Sequence, residues 1–145
     1  MPPISESRRA ARIKAVHEHF RIENTHDLDA VMATFGNMCS FLANHELHEG
    51  REAVRAFYGE FFRGFPDLRF DIKSLHVGED AIPVELVLSG THRGTWFGMP
   101  PTGRHFEMPA CAVFIFDEDD RIVGERGYFD SALMLRQLGL LPQAG

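Results

Sequence analysis

HFEMPACAVFIF, residues 105–116, runs into the acidic turn DEDD, residues 117–120, and then into RIVGERGYF, residues 121–129. Both flanks are rich in β-branched and aromatic residues and meet at a polar turn, so they read as two strands of a hairpin. Just upstream, RGTWFGMPPTGR (93–104) is dense in Gly and Pro and predicts a structured loop. A further strand precedes it, from about Ile82 to His92. Before that, Leu68, Phe70 and Ile72 alternate, then Leu75 and Val77 alternate one residue out of phase, which predicts a bulge near Lys73-Ser74.

Farther back the period changes. In REAVRAFYGEFFRGF (51–65), Val54, Phe57, Tyr58, Phe61, Phe62 and Phe65 form one apolar stripe at helical spacing, closed by Gly64 and Pro66-Asp67. CSFLA (39–43) reads as a short strand. Asp27 reads as the N-cap of a helix carrying Leu28, Val31, Met32 and Phe35. The first helix starts near Ser5 or Ser7 and carries Ile13, Val16 and Phe20. At the other end, SALMLRQLG (131–139) is a short helix ending at Gly139, with Pro142 beyond it. Segregated helices followed by consecutive strands indicate an α+β domain with a mostly antiparallel sheet. Three N-terminal helices cover four long strands only if the sheet curves strongly, which leaves a hollow. With 145 residues, the chain reads as a single domain over 1–145.

The composition excludes several functions. Fifteen Lys and Arg against 21 Asp and Glu give a net charge of −6, a poor match to a nucleic-acid backbone. No apolar run approaches membrane-spanning length, and the start, MPPISESRRAARIK, lacks a signal-peptide core, so a cytoplasmic protein is expected. Cys39 and Cys111 then read as two buried free thiols. The chain carries 13 Phe against two Tyr and one Trp, which fits either a well-filled core or an aromatic-lined pocket.

THRGTWFGMPPTGRHF (91–106) and VFIFDEDDRIVGERGYFDSALMLRQLGLLP (113–142) resemble the SnoaL-like polyketide cyclase branch of the nuclear transport factor 2-like (NTF2-like) superfamily. HEGREAVRAFY (48–58) resembles its turn-to-helix entry, so the likeness covers most of the chain. The resemblance implies a cone-shaped α+β fold, usually dimeric, with a deep apolar pocket between curved sheet and helices. It also implies acid–base chemistry without a cofactor, on a small hydrophobic carbonyl compound. Family cyclases place a catalytic Asp on the last strand. Aligning through IVGERGYFD and LRQLG puts that position at Gly127, and MPACAVF puts Ala110 and Ala112 on the pocket side of the neighbouring strand.

The remaining candidates follow from side-chain chemistry. Glu125 lies two residues before Gly127 and so shares its face. In an apolar pocket it would serve as acid or base; the alternative is an ion pair with Arg93, or with Arg126 of the partner subunit. Asp130 is either an auxiliary group at the mouth or the N-cap of the last helix. His92 is a second auxiliary, or a histidine that anchors the loop. Phe20, Phe57, Phe61 and Trp96 are the aromatic wall, with Ala110, Ala112 and Gly127 as further ligand contacts. His45-Glu46-Leu47-His48 is one residue short of a zinc-helix motif, and His17 and His19 diverge on their helix, so no metal site is expected. Two functions stay open: an acid–base enzyme of cyclase, isomerase or hydrolase type, and a non-catalytic binder of small hydrophobic molecules. Both are expected as homodimers through the outer face of the sheet, where Pro83, Glu85, Val87 and Ser89 alternate with Val84, Leu86 and Leu88.

Overall fold

The computed structural model describes residues 3–142. The chain runs α1 (Glu6–Glu23), α2 (Leu28–Ala33), β1 (Phe35–Ala43), β2 (Glu46–Glu49), α3 (Arg51–Gly64), β3 (Arg69–Leu75), β4 (Ala81–Thr91), β5 (His105–Phe116), β6 (Ile122–Phe129) and α4 (Ser131–Gln137). The six strands form one mixed sheet in the order β2-β1-β6-β5-β4-β3. All neighbours are antiparallel except β1 and β6, which run parallel. The order puts β6 and β5 at the centre, where the ladder covers them on both edges.

Helix ends follow the side chains that cap them. Ser5 Oγ accepts from Arg8 N, and Asp27 accepts from Ala30 N at 3.1 Å. Gly50 opens α3 at φ +91°, a backbone angle that favours glycine. At the end of α4, Gly139 N–H bonds Arg136 O at 3.0 Å and Leu140 N–H bonds Leu135 O at 2.8 Å, with Gly139 at φ +75°. That pair of bonds is a Schellman stop.

Two expectations about local structure are corrected. The first strand begins at Phe35, not Cys39, so Phe35 belongs to β1 rather than to α2. Gly36-Asn37-Met38 breaks any period-two pattern because the β1–β6 register shifts between Phe35 and Ser40. Residues 46–49 form β2, paired to β1 from Ser40↔Glu49 to Ala43↔Glu46. The expected bulge in β3 is present as a register shift between Ile72 and Ser74.

The core lies between the helices and the inner sheet face. Phe65, Phe106, Phe114, Ile82, Met108 and Ile122 are essentially inaccessible there. α1 is pinned across it at its N-terminal end. Asp120, in the β5–β6 turn at φ +60°, accepts from Arg8 Nε at 3.0 Å and Arg12 Nε at 2.8 Å. Arg12 also lies over the Phe116 ring, 5.0 Å from its centroid. The opposite end of α1 is thereby aimed at β6. Cys39 is buried and Cys111 half-buried, both as free thiols, so the expectation that both are buried holds for Cys39 alone. Among the described residues no helix is long and apolar enough to cross a membrane.

Candidate functional site

Val16, His19, Phe20 and Glu23 recur at i, i+3, i+4 and i+7 along α1, so they share one face, and all four are buried. Two of them are polar. Burying polar groups is costly unless they find partners, and here they find one another and two groups from elsewhere. His19 Nε2 lies 3.1 Å from Glu23 Oε1 and 3.2 Å from Glu125 Oε2 on β6. Tyr58, on the inner face of α3, donates its hydroxyl hydrogen to Glu125 Oε2 at 2.6 Å and sits 3.3 Å from His19 Nε2.

Thr34, at the end of α2, fixes the imidazole. Its hydroxyl donates to Val31 O at 2.6 Å, which leaves its oxygen to accept from His19 Nδ1, also at 2.6 Å. With Nδ1–H held there, Nε2 faces the two carboxylates. Glu23 differs from Glu125. It is fully buried beside His19, yet neither of its oxygens receives a directed hydrogen bond. Donor atoms of His19, Glu23 and Glu125 lie within 4.8 Å of one another, close enough to surround a cation.

Burial alone would push the His19 imidazolium down. The Glu23 charge, with Glu125 behind it, outweighs that and raises its pKa from 6.5 to about 10. For Glu23 burial is the largest cause and the Glu125 charge adds to it; His19 and Tyr58 oppose, and the result is a rise from 4.5 to about 7. The Tyr58 hydroxyl is held well above its ordinary value, first by burial and then by the two carboxylates.

Both His19 and Glu23 hold their protons more tightly in the folded chain than in the unfolded one. The His19 contribution is fully present below pH 6.5 and is lost as pH rises through about 10. The Glu23 contribution is present below pH 4.5 and is lost as pH rises through about 7. Stability is therefore expected to fall between pH 5 and pH 10, read as a falling urea midpoint. A midpoint that rises over that interval would contradict the charged cluster.

The cluster forms one end of a cavity of about 60 Å³ between the helices and the sheet. Since a single water needs roughly 10–15 Å³ on this scale, there is room for only a few non-hydrogen atoms. Glu23, Tyr58 and Glu125 are among its polar lining residues, and six phenylalanines (20, 41, 57, 61, 70 and 129) are its largest single contribution of one residue type.

Of the residues singled out in the sequence, Glu125, Phe20, Phe57, Phe61, Ala110, Ala112 and Gly127 all line this cavity. Glu125 finds Tyr58 and His19 as partners rather than Arg93. A Cβ added to Gly127 would lie 3.3 Å from Phe41 Cζ, so the Phe41 ring covers the position that the resemblance assigns to the cyclase Asp.

Three candidates lie elsewhere. Asp130 accepts from Leu133 N at 2.9 Å and caps α4. His92 is buried outside the cavity, with its ring 5.4 Å from that of Phe65 and Nδ1 3.2 Å from Thr102 Oγ1. Its backbone closes the Gly-Pro loop through His92 N→Arg104 O and Gly103 N→His92 O, both at 2.8 Å. Trp96 fastens the same loop to α3, packing against Phe61 and Phe65. A Cβ on Gly64 would come within 2.6 Å of Trp96 Cβ, so only glycine permits this approach. Trp96 is thus a loop anchor and not part of the aromatic wall. His19, Glu23, Thr34 and Tyr58 were not among the expected site residues.

A model of SnoaL-like polyketide cyclases matches residues 11–138. No curated protein matches the chain. Among solved structures, a candidate SnoaL-like polyketide cyclase from Jannaschia sp. CCS1 superposes with a TM-score of 0.85 at 21% identity, over 97% of this chain and 100% of that one. AclR, a candidate hydroxylase from Streptomyces galilaeus, gives 0.80 at 21% identity, over 94% and 86%. IdmH, a candidate polyketide cyclase from Streptomyces antibioticus, gives 0.73 at 22% identity, over 88% and 98%. At these identities the structural likeness establishes the fold, which is the α+β NTF2-like one.

Proposed function

Because the chain belongs to the SnoaL-like polyketide cyclase family, we propose that it is an acid–base enzyme that moves a proton on a small, largely apolar carbonyl compound held in the aromatic cavity. The observation that carries this reading is the Glu23 carboxylate: fully buried, on the cavity wall, and held by the His19 ion pair with no well-directed hydrogen bond. Burial in apolar surroundings makes a carboxylate more basic, and a pKa raised to about 7 suits Glu23 to proton transfer at neutral pH. In this scheme a carbon-bound proton next to the carbonyl passes to Glu23. The enolate oxygen accepts from Tyr58, whose hydroxyl turns from Glu125 toward the substrate. Glu125 and the His19 imidazolium hold Tyr58 and balance the charge. Glu23 then returns its proton to carbon, or to the alkoxide that a ring closure would generate. Gly127 leaves the site without the cyclase Asp, so its acid–base set is drawn from α1, α3 and β6.

The test is hydrogen–deuterium exchange in D2O, followed by NMR, on a panel of small ketones and β-diketones. Exchange at the α-carbon faster than with boiled protein is expected for at least one compound. No acceleration across the panel would favour the non-catalytic binder. The proposed assembly is a homodimer through the outer sheet face, where Met38, Leu47 and Tyr128 are exposed. Light scattering should then give twice the chain mass of 16.4 kDa.

A further inference from the structure

We propose that the cavity is also a binding site for small protonated amines, with Glu23 receiving the ammonium N–H and the phenylalanine rings enclosing its alkyl groups. The inference shares the cavity with the proposed reaction but rests on its geometry rather than on turnover.

The inner end of the cavity accepts hydrogen bonds and has few to give. The Tyr58 hydrogen is engaged by Glu125, His19 Nδ1 faces Thr34, and His19 Nε2 is shared between Glu23 at 3.1 Å and Glu125 at 3.2 Å. Neither Glu23 oxygen receives a well-directed hydrogen bond, Oε1 having only the His19 ion pair. A fully buried acceptor of that kind is satisfied by a ligand that brings a hydrogen.

Charge narrows the choice further. Two carboxylates against one imidazolium leave one negative charge at the inner end, which a monocation would neutralise. Among the described residues no lysine or arginine lines the cavity, so an anionic ligand would find no cationic side chain on its wall. The wall includes six phenylalanine rings and the Tyr58 ring, and aromatic faces attract an alkylammonium more than a neutral molecule of the same shape. The volume of about 60 Å³ limits the ligand to a small amine, or to the amine end of a longer one.

Three probes of nearly equal shape separate these contributions. Titration calorimetry on the wild-type protein would compare tert-butylammonium, tert-butanol and tetramethylammonium. The first carries charge and N–H, the second a donor without charge, and the third charge without a donor. Tert-butylammonium is expected to bind at least roughly tenfold more tightly than either of the others. In Glu23→Gln that preference should disappear while tert-butanol binding stays. Equal binding of the three probes to the wild type, or no amine binding at millimolar concentration, would overturn the proposal whether or not the variant folds. The calorimetry needs no turnover and the exchange assay contains no amine, so failure of one reading leaves the other standing.

Discussion

Glu23→Gln is expected to slow α-proton exchange by about 10²–10⁴-fold, the usual contribution of a positioned general base. The amide keeps the shape of the side chain and removes the group that takes the proton. It should not unfold the protein. Glu23 is ion-paired to His19 at 3.1 Å, but its carboxyl holds a proton more tightly in the folded chain than in the unfolded one and Glu125 remains beside His19, so removing the Glu23 charge at pH 8 should be nearly neutral or stabilising. The urea midpoint at pH 8 should therefore stay level or rise while the rate collapses. Glu125→Gln gives the contrast. Its oxygen can still accept from Tyr58, so the loss should be smaller than for Glu23→Gln. The reverse ranking would transfer the role of base from Glu23 to Glu125.

His19→Leu should have the largest effect on stability, about 3–5 kcal/mol at pH 8, as expected when one partner of a buried ion pair is removed. Leucine fills much of the space, so lost packing is a minor part. What remains is two carboxylates, Glu23 and Glu125, facing the same small volume without a cation. The His19 contribution is fully present below pH 6.5 and partly lost by pH 8, so the loss should be at least as large at pH 5. Urea denaturation at both pH values reads this directly. A loss below about 1 kcal/mol at pH 8 would place His19 among ordinary surface-type ion pairs and remove the charge argument for the cluster.

The fold was largely legible because its signals are local. The stripe Val54, Phe57, Tyr58, Phe61 lies within one helix, and the β5–β6 hairpin is closed by its own turn. The Asp130 cap and the Gly139 stop are each decided within five residues. The site was legible in part. Glu125 and Gly127 share a strand face, and strand alternation shows that. His19 and Glu23 carried a signal too: both fall on the stripe set by Val16 and Phe20, where a polar residue must find a buried partner. Weighing His19 against His17, two residues away, looks across the helix, whereas Glu23 at i+4 looks along it. Tyr58 passed for a core aromatic because a helical stripe does not reveal what its hydroxyl meets. The meeting itself joins residues 106 positions apart, His19 and Glu125, and no spacing rule spans that distance. His92 and Trp96 misled because a loop that fastens itself to a helix uses the same large side chains as a loop that holds a ligand.

That separation of 106 residues also orders events in time. Synthesis delivers His19, Glu23 and Tyr58 early, while Glu125 arrives on the last strand. Until β6 slots between β1 and β5, the polar face of α1 has no counterpart, and the inner aromatic wall has no floor. Assembly of the pocket is thus a terminal step, governed by a long-range pairing of the kind that slows folding. A chain stopped short of β6 would leave the inner phenylalanines without their covering strand, and exposed apolar surface of that kind favours aggregation.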